Sequence, residues 1–341
     1  MGQPLQASPA RSGATPAGPG EAPPQPRPRT SGSAWRKRAE IAFFVAPALI
    51  LVATFIAFPV AQAVRYSFYR WNGLGPLDNF IGLENYIRAL GHDVFTSAVV
   101  NNLTIVVLSI LIQLPLGLGI ALLLNRQMRG QSLLRVVIFM PYVLAEVVAG
   151  VIWFMLLQPR GMANAMLEAV GLGEWTQLWI ADPDIALWTV MGVLTWKYLG
   201  LAVILMLAGL QGVPPELYEA AQIDGASWWK VQFKITIPLL GPTIRTWAFL
   251  SMIGSLQLFD MVWILTGGGP ANATVTMAVY LIDQGTNRSL YGYASAVAVL
   301  LFIISLTMAA LYQFFILRRD TADGPARPGR LRRRTTERTV R

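Results

Sequence analysis

The sequence predicts an all-α polytopic membrane protein with six transmembrane helices. Two observations carry this. Of 341 residues, 54% are hydrophobic and only 13% are charged, whereas a soluble domain carries about 25% charged residues. The charges also fall between apolar runs, each long enough for the roughly 20 residues that a bilayer helix needs. The runs are too long, and too rarely alternating, for barrel strands.

The first run covers 41–64 and the second lies within 94–125. The third, 136–159, is interrupted only by Glu146, and the fourth, 185–215, only by Lys197. The fifth lies within 246–282, holds Asp260 and should end near Leu265, before a Gly-rich turn. The sixth covers 289–317. Pro47, Pro59, Pro115 and Pro141 fall inside these runs; bundled membrane helices tolerate proline better than soluble ones do. The first run, flanked by Arg36-Lys37-Arg38 and Ala61-Gln62-Ala63, has the outline of a signal peptide. It exceeds the usual 7–15 apolar residues, so it is read as a retained helix.

Residues 1–34 are rich in Pro, Gly, Ala, Ser and Arg and contain no aromatic residue. They cannot bury enough apolar area to offset their ordering entropy, which predicts a disordered tail. Residues 318–341, with nine Arg and three acids, form a second, basic tail. With the N-terminus placed in the cytoplasm, the inner segments hold 21 Lys and Arg and the outer loops five. The excess of positive charge inside therefore predicts that both termini are cytoplasmic.

Several chemistries are excluded. Without cysteine there is no disulfide framework, redox pair or thiolate metal site. One histidine, His92, is too few for a zinc site, and haem and iron–sulfur ligand sets are missing. Net charge is +9, with 23 Arg against four Lys. The basic residues lie in the tails and in short loops between apolar runs, a pattern that serves membrane orientation rather than nucleic-acid binding.

The most informative segment is the loop at 211–245. It runs Pro214-Pro215-Glu216-Leu217-Tyr218-Glu219-Ala220-Ala221-Gln222-Ile223-Asp224-Gly225-Ala226-Ser227. Proline opens a first helical turn well, Glu216 and Glu219 suit the positive end of the helix dipole, and Gly225 is placed to end the helix. Trp228, Trp229, Val231 and Phe233, with Lys230 and Lys234, then give a stretch able to lie at headgroup level. Periodicity alone makes this a loop helix lying on the membrane.

Glu219-Ala220-Ala221, three residues, Gly225 and then Ile237-Pro238 resembles the EAA motif of ABC-importer permeases. Phe139-Met140-Pro141-Tyr142 with Trp153, Trp196-Lys197 with Ala208-Gly209-Leu210, and Phe259-Asp260 before Leu265-Thr266-Gly267-Gly268-Gly269-Pro270 are similar to its carbohydrate branch, the MalF/UgpA-like permeases. The resemblance covers roughly residues 35–317. It implies a type I importer (MetI-like) permease fold in the bacterial inner membrane and translocation of a sugar or related polyol by alternating access. Glu219, Ala220, Ala221, Asp224 and Gly225 would form a coupling helix docked in a separate ATPase. No GxxxxGK[ST] occurs in this chain, so ATP and Mg belong to that partner, and this chain binds no cofactor and performs no covalent chemistry. The implied partners are a second, homologous permease in a heterodimer, an ATPase dimer, an extracytoplasmic solute-binding protein and membrane lipid.

Ionisable groups inside spans are costly and mark functional sites. Glu146, near mid-span by sequence, Lys197 and Asp260 are candidates to line a cavity; lying near span ends or pairing with a neighbouring helix is the other reading. Ser251, Gly254, Ser255 and Leu258 share a helical face, and Lys197, Tyr198 and Leu201 lie close together in the fourth span. By position the resemblance assigns these to the substrate path, and Glu146 joins them as an ionisable group within a span; close packing of small residues would also explain the row. Trp196 and Trp247 could supply an aromatic platform. The Gly-rich turn is read as letting the backbone re-enter or pass close to a docked protein, and 161–184 as a short external helix. A membrane-embedded protease lacks its Ser–His or Asp–Asp pair, and a proton-coupled secondary transporter would show internal repeats.

Overall fold

The computed structural model describes residues 32–126 and 128–317. The expected tails at 1–34 and 318–341 lie outside these residues, except that Gly32 already begins a helix. The chain divides into two units, 1–58 and 59–341.

The first unit contains helix α1, Gly32–Val52, extended by a wide π turn over Ala53–Ala57. The second unit begins within α2, Phe58–Tyr66, and continues through α3, Glu84–Leu90, to the long α4, Asp93–Leu124. Next come α5, Gln131–Val143, and α6, Glu146–Leu156, with a short α7 at Met162–Ala169. The 29-residue α8, Pro183–Gln211, leads to α9, Pro215–Ile223, and α10, Trp228–Val231. The chain closes with α11, Gly241–Leu256, α12, Asp260–Leu265, α13, Met277–Ile282, and α14, Tyr291–Leu317. Among the described residues no strand is formed.

Among the described residues, four helices are long and apolar enough to cross a membrane: Arg38–Tyr66, α4, α8 and α14. The pair α5–α6 makes a fifth candidate, bent by 99°. The fifth expected span is not a single helix. It stops at Leu256 and restarts at Asp260, and neither piece alone has the length of a span. The third expected span also differs: Leu144 and Ala145 are extended, so Glu146 is the first residue of α6 and not a mid-helix group.

Proline explains three irregular turns. Each of Ala53–Ala57, Ser109–Gln113 and Gln232–Thr236 is a π turn ending two residues before a proline: Pro59, Pro115 and Pro238. Proline offers no N–H to the fourth residue back, and its ring clashes with that carbonyl. Widening the turn before it relieves the clash without ending the helix.

α8 is the centre of the second unit. A Cβ on Gly117 of α4 would come within 2.7 Å of the Ala202 Cβ, one on Gly200 within 2.7 Å of the Ile138 carbonyl, and one on Gly209 within 2.6 Å of Thr243 Oγ1. Three neighbours, α4, α5 and α11, thus approach α8 at the distance that small residues allow in membrane bundles.

The two breaks are repaired by side chains. The last carbonyls of a helix have no partner within it, and buried in an apolar setting each costs free energy unless bonded. Lys197 of α8, 2% exposed, sends its Nζ to the carbonyls of Pro141 at 3.0 Å, Tyr142 at 3.2 Å and Leu144. The three donors of an ammonium group match three acceptors, at the negative end of α5. On the other side of the break, the Tyr198 hydroxyl donates to the Glu146 carboxylate. At the second break, fully buried Asn102 of α4 donates to the carbonyls of Ser255 (2.7 Å) and Leu256 (3.3 Å), and its Oδ1 accepts from the Met277 amide (2.8 Å). Thr276 donates to the Leu258 carbonyl at 2.8 Å and caps α13.

Lys197→Met should strip three carbonyls of their donor and lower stability by about 3 kcal/mol, read as a fall of several degrees in the unfolding midpoint of the detergent-purified chain. Tyr198→Phe, which removes one donor from a half-buried carboxylate, should cost clearly less. Equal midpoints for Lys197→Met and the parent chain would refute the clip.

Candidate functional site

A cavity of about 370 Å³ lies between α4, α5, α8 and α11, within the usual range for small-ligand sites. α4 contributes Ile105, Ser109 and Gln113, and α5 contributes Tyr142. α8 presents Leu194, Tyr198 and Leu201. α11 presents Trp247, Leu250, Ser251, Gly254 and Ser255, with Leu258 just beyond its end. The wall carries five hydroxyls, one carboxamide and an indole, and no charged side chain. Its polar groups both donate and accept hydrogen bonds. The Tyr142 and Tyr198 rings meet edge-on at 6.4 Å.

Six of the eight residues expected on the substrate path line this cavity: Tyr198, Leu201, Ser251, Gly254, Ser255 and Leu258. Glu146 stands behind the wall, bonded to the Tyr198 hydroxyl. Lys197 points elsewhere, into the carbonyls at the α5 break. Asp260 is exposed at the first position of α12. Trp247 is buried in the wall, whereas Trp196 packs against Trp153 with ring centres 5.4 Å apart and does not reach it. Ile105, Ser109, Gln113, Tyr142, Leu194 and Leu250 were not anticipated. Ser109 and Gln113, four apart in an otherwise apolar run, were the available signal: polar groups in such a segment need somewhere polar to point.

The loop at 211–245 forms the expected helix, α9. It ends in a Schellman arrangement: the Ala226 amide donates to the Ala221 carbonyl at 2.9 Å and the Gly225 amide to the Gln222 carbonyl at 3.0 Å. Gly225 has φ +67°, the left-handed conformation that such a stop requires and that glycine adopts without a Cβ clash. Glu219, Ala220, Asp224 and Gly225 are exposed, with Ile223 beside them at 87%. Ala221 is not part of that surface: it is buried in the chain's own packing. Thr236 donates to the Tyr218 hydroxyl at 3.3 Å, which ties α9 to the limb that follows.

The Gly-rich turn is held by Thr274, which meets the Thr266 hydroxyl and the Gly269 carbonyl, each at 2.7 Å. Asn101 of α4 donates to the carbonyls of Ala273 and Val275. The chain then re-enters the core through Met277, Val279 and Tyr280 of α13. α7 forms where an external helix was expected, with Met162 and Met166 exposed. His92 lines a small polar pocket of about 170 Å³ with Asp283 and Arg288.

Residues 113–320 match the family model described as binding-protein-dependent transport system inner membrane component. The diacetylchitobiose uptake system permease protein NgcF of Streptomyces coelicolor is 32% identical over 88% of this chain and 90% of that protein. The lactose transport system permease protein LacF of Rhizobium radiobacter is 33% identical over 81% of this chain and 93% of that protein. Among solved structures, a chain of a bacterial ABC transporter involved in alginate import shares the fold, with a TM-score of 0.74 and 22% identity over 84% of this chain and 98% of that one. These relatives are transport permeases and not enzymes, and this chain belongs to their family, the inner-membrane components of binding-protein-dependent transport systems.

Proposed function

We propose that this chain is a permease subunit of an ABC importer for a neutral sugar or polyol. The observation that carries the solute class is the uncharged wall of the cavity: Ser109, Gln113, Ser251, Ser255 and Tyr198 offer hydroxyl and amide partners, and Trp247 offers an indole. A polyhydroxylated solute presents both C–H faces and hydroxyls, which such a wall can match. An anion would meet no cation there, and the Glu146 carboxylate lies behind Tyr198; burying an unpaired charge is costly. Names of relatives, which include diacetylchitobiose and lactose systems, support the sugar reading.

The cavity alternates between faces of the inner membrane, driven by a separate ATPase dimer that holds ATP and Mg. Both chain termini are cytoplasmic, on the side of α9. Glu219, Ala220, Asp224 and Gly225 form the exposed docking surface, and Ala221 fixes α9 to the rest of the chain. A second permease completes the cavity in a heterodimer, consistent with exposure of Gly254 and Leu250 at its edge. A solute-binding protein delivers from outside; a neighbouring alginate importer was solved in complex with such a protein.

Co-purification from native membrane, followed by reconstitution, tests the assignment. An ABC ATPase and a second permease should be recovered, and ATP-dependent uptake should be restored in vesicles. Recovery of the chain alone, with no such uptake, would overturn it. Within the recovered complex, Glu219→Lys and Gly225→Pro should each weaken ATPase association at least tenfold in a pull-down while the chain still inserts; undiminished association would remove α9 from the coupling role. Ser255→Leu should fill the cavity and cut the maximal rate of uptake several-fold with the complex intact, and an unchanged rate would move the solute path elsewhere.

A further inference from the structure

The limb between α9 and α11 has an exposed face that neither the cavity nor α9 explains. Ser227 starts it by accepting a hydrogen bond from the Lys230 amide at 3.4 Å, and helical turns continue to Leu239. Its inner side is set by Val231, Gln232 and Thr236, all buried. Its outer side carries two ridges at four-residue spacing. Trp229 and Phe233 are 65% and 63% exposed and stack with ring centres 6.1 Å apart. Lys230 and Lys234, also exposed, stand beside them. Trp228 meets Trp229 edge-on at 4.6 Å, and the Arg126 guanidinium, just past the end of α4, lies over the Trp228 ring at 5.0 Å.

Position, composition and charge point to one occupant. The limb leads from α9 into the start of α11, where an apolar helix of a membrane protein would emerge at the membrane surface. Exposed indole and phenyl rings interleaved with Lys are suited to that level: rings settle among headgroups while the ammonium groups reach phosphate. The charge is also segregated. The acids of this loop, Glu216, Glu219 and Asp224, all precede Gly225, and no acid occurs from Gly225 to Phe259. The loop that carries Arg126 and Arg129 holds no acid either. The face therefore complements a negative surface, and anionic lipid provides one.

We propose that Trp228, Trp229, Lys230, Phe233 and Lys234, with Arg126, form a docking surface for anionic phospholipid headgroups. It anchors this limb to the bilayer, while the acidic surface of α9 stays clear of the lipid.

The chain has no cysteine, so Phe233→Cys gives a single attachment point for an environment-sensitive fluorophore. The full chain is placed in nanodiscs of phosphatidylcholine containing one-third phosphatidylglycerol, with a small fraction of either lipid carrying a nitroxide near the headgroup. Nitroxide phosphatidylglycerol should quench the dye at least twofold more than nitroxide phosphatidylcholine. The preference should fall towards unity in about 0.5 M salt, where charge attraction is screened, and in the Lys230→Glu/Lys234→Glu chain. Equal quenching by the two lipids overturns the proposal, as does a preference that salt leaves unchanged in the chain with both lysines. A dye reached freely by aqueous iodide in nanodiscs, and shielded only when the co-purified ATPase is added, assigns the face to a protein partner and overturns it as well.

Discussion

A backbone carbonyl left bare in an apolar setting costs several kcal/mol, and this chain interrupts its apolar segments twice, after Val143 and after Leu256. The rest of the structure is arranged around making those interruptions tolerable. Lys197 closes the first by capping three carbonyls, and Asn102 closes the second through three hydrogen bonds. These repairs come from α8 and α4, each an unbroken helix long enough to span a membrane. The broken segments are thereby held against unbroken ones, and the cavity lies among them, with Tyr198 next to the first repair and Ser255 next to the second.

Glu146 and Asp260 gain a common explanation. Each is the first residue of the helix that restarts after a break, where the dipole favours an acid. A charge there is less costly than one in mid-helix, which is where Glu146 stands if its segment is taken as one span. Sequence proximity to the cavity is therefore a poor guide to the role of a charged group here. Lys197 and Tyr198 are neighbours in sequence, yet one supports the backbone behind the cavity and the other lines it.

What the sequence revealed was local. Apolar runs located four of the spans because length and hydropathy are additive along a segment. The α9 helix was legible from Pro215, its acids and Gly225, all within ten residues or so of one another. The row of Ser251, Gly254 and Ser255 was legible because it repeats at helical spacing. What stayed hidden depends on distant partners. Nothing near Leu144 announces a break, since the donor that permits it lies 53 residues away on α8. The break after Leu256 depends on Asn102, 154 residues earlier. Ser109 and Gln113 become cavity residues only once α4 packs beside α8 and α11.

Under the proposed coupling, α8 carries the consequence of this arrangement. Tyr198 and Gln211 lie 13 residues apart on one uninterrupted helix, about 20 Å at 1.5 Å per residue, and α9 starts four residues beyond Gln211. A displacement of α9 therefore has a short, stiff route to the cavity. Because Lys197 holds the end of α5 and Tyr198 holds the start of α6, a shift of α8 takes both sides of the α5–α6 break with it. Tight contacts at Gly117 and Gly209 tie α4 and α11 to the same helix. Packed interfaces of this kind move between discrete arrangements instead of deforming smoothly. The clip that makes the break affordable in lipid is thus also the joint through which motion at α9 would reach the wall around Tyr142 and Tyr198.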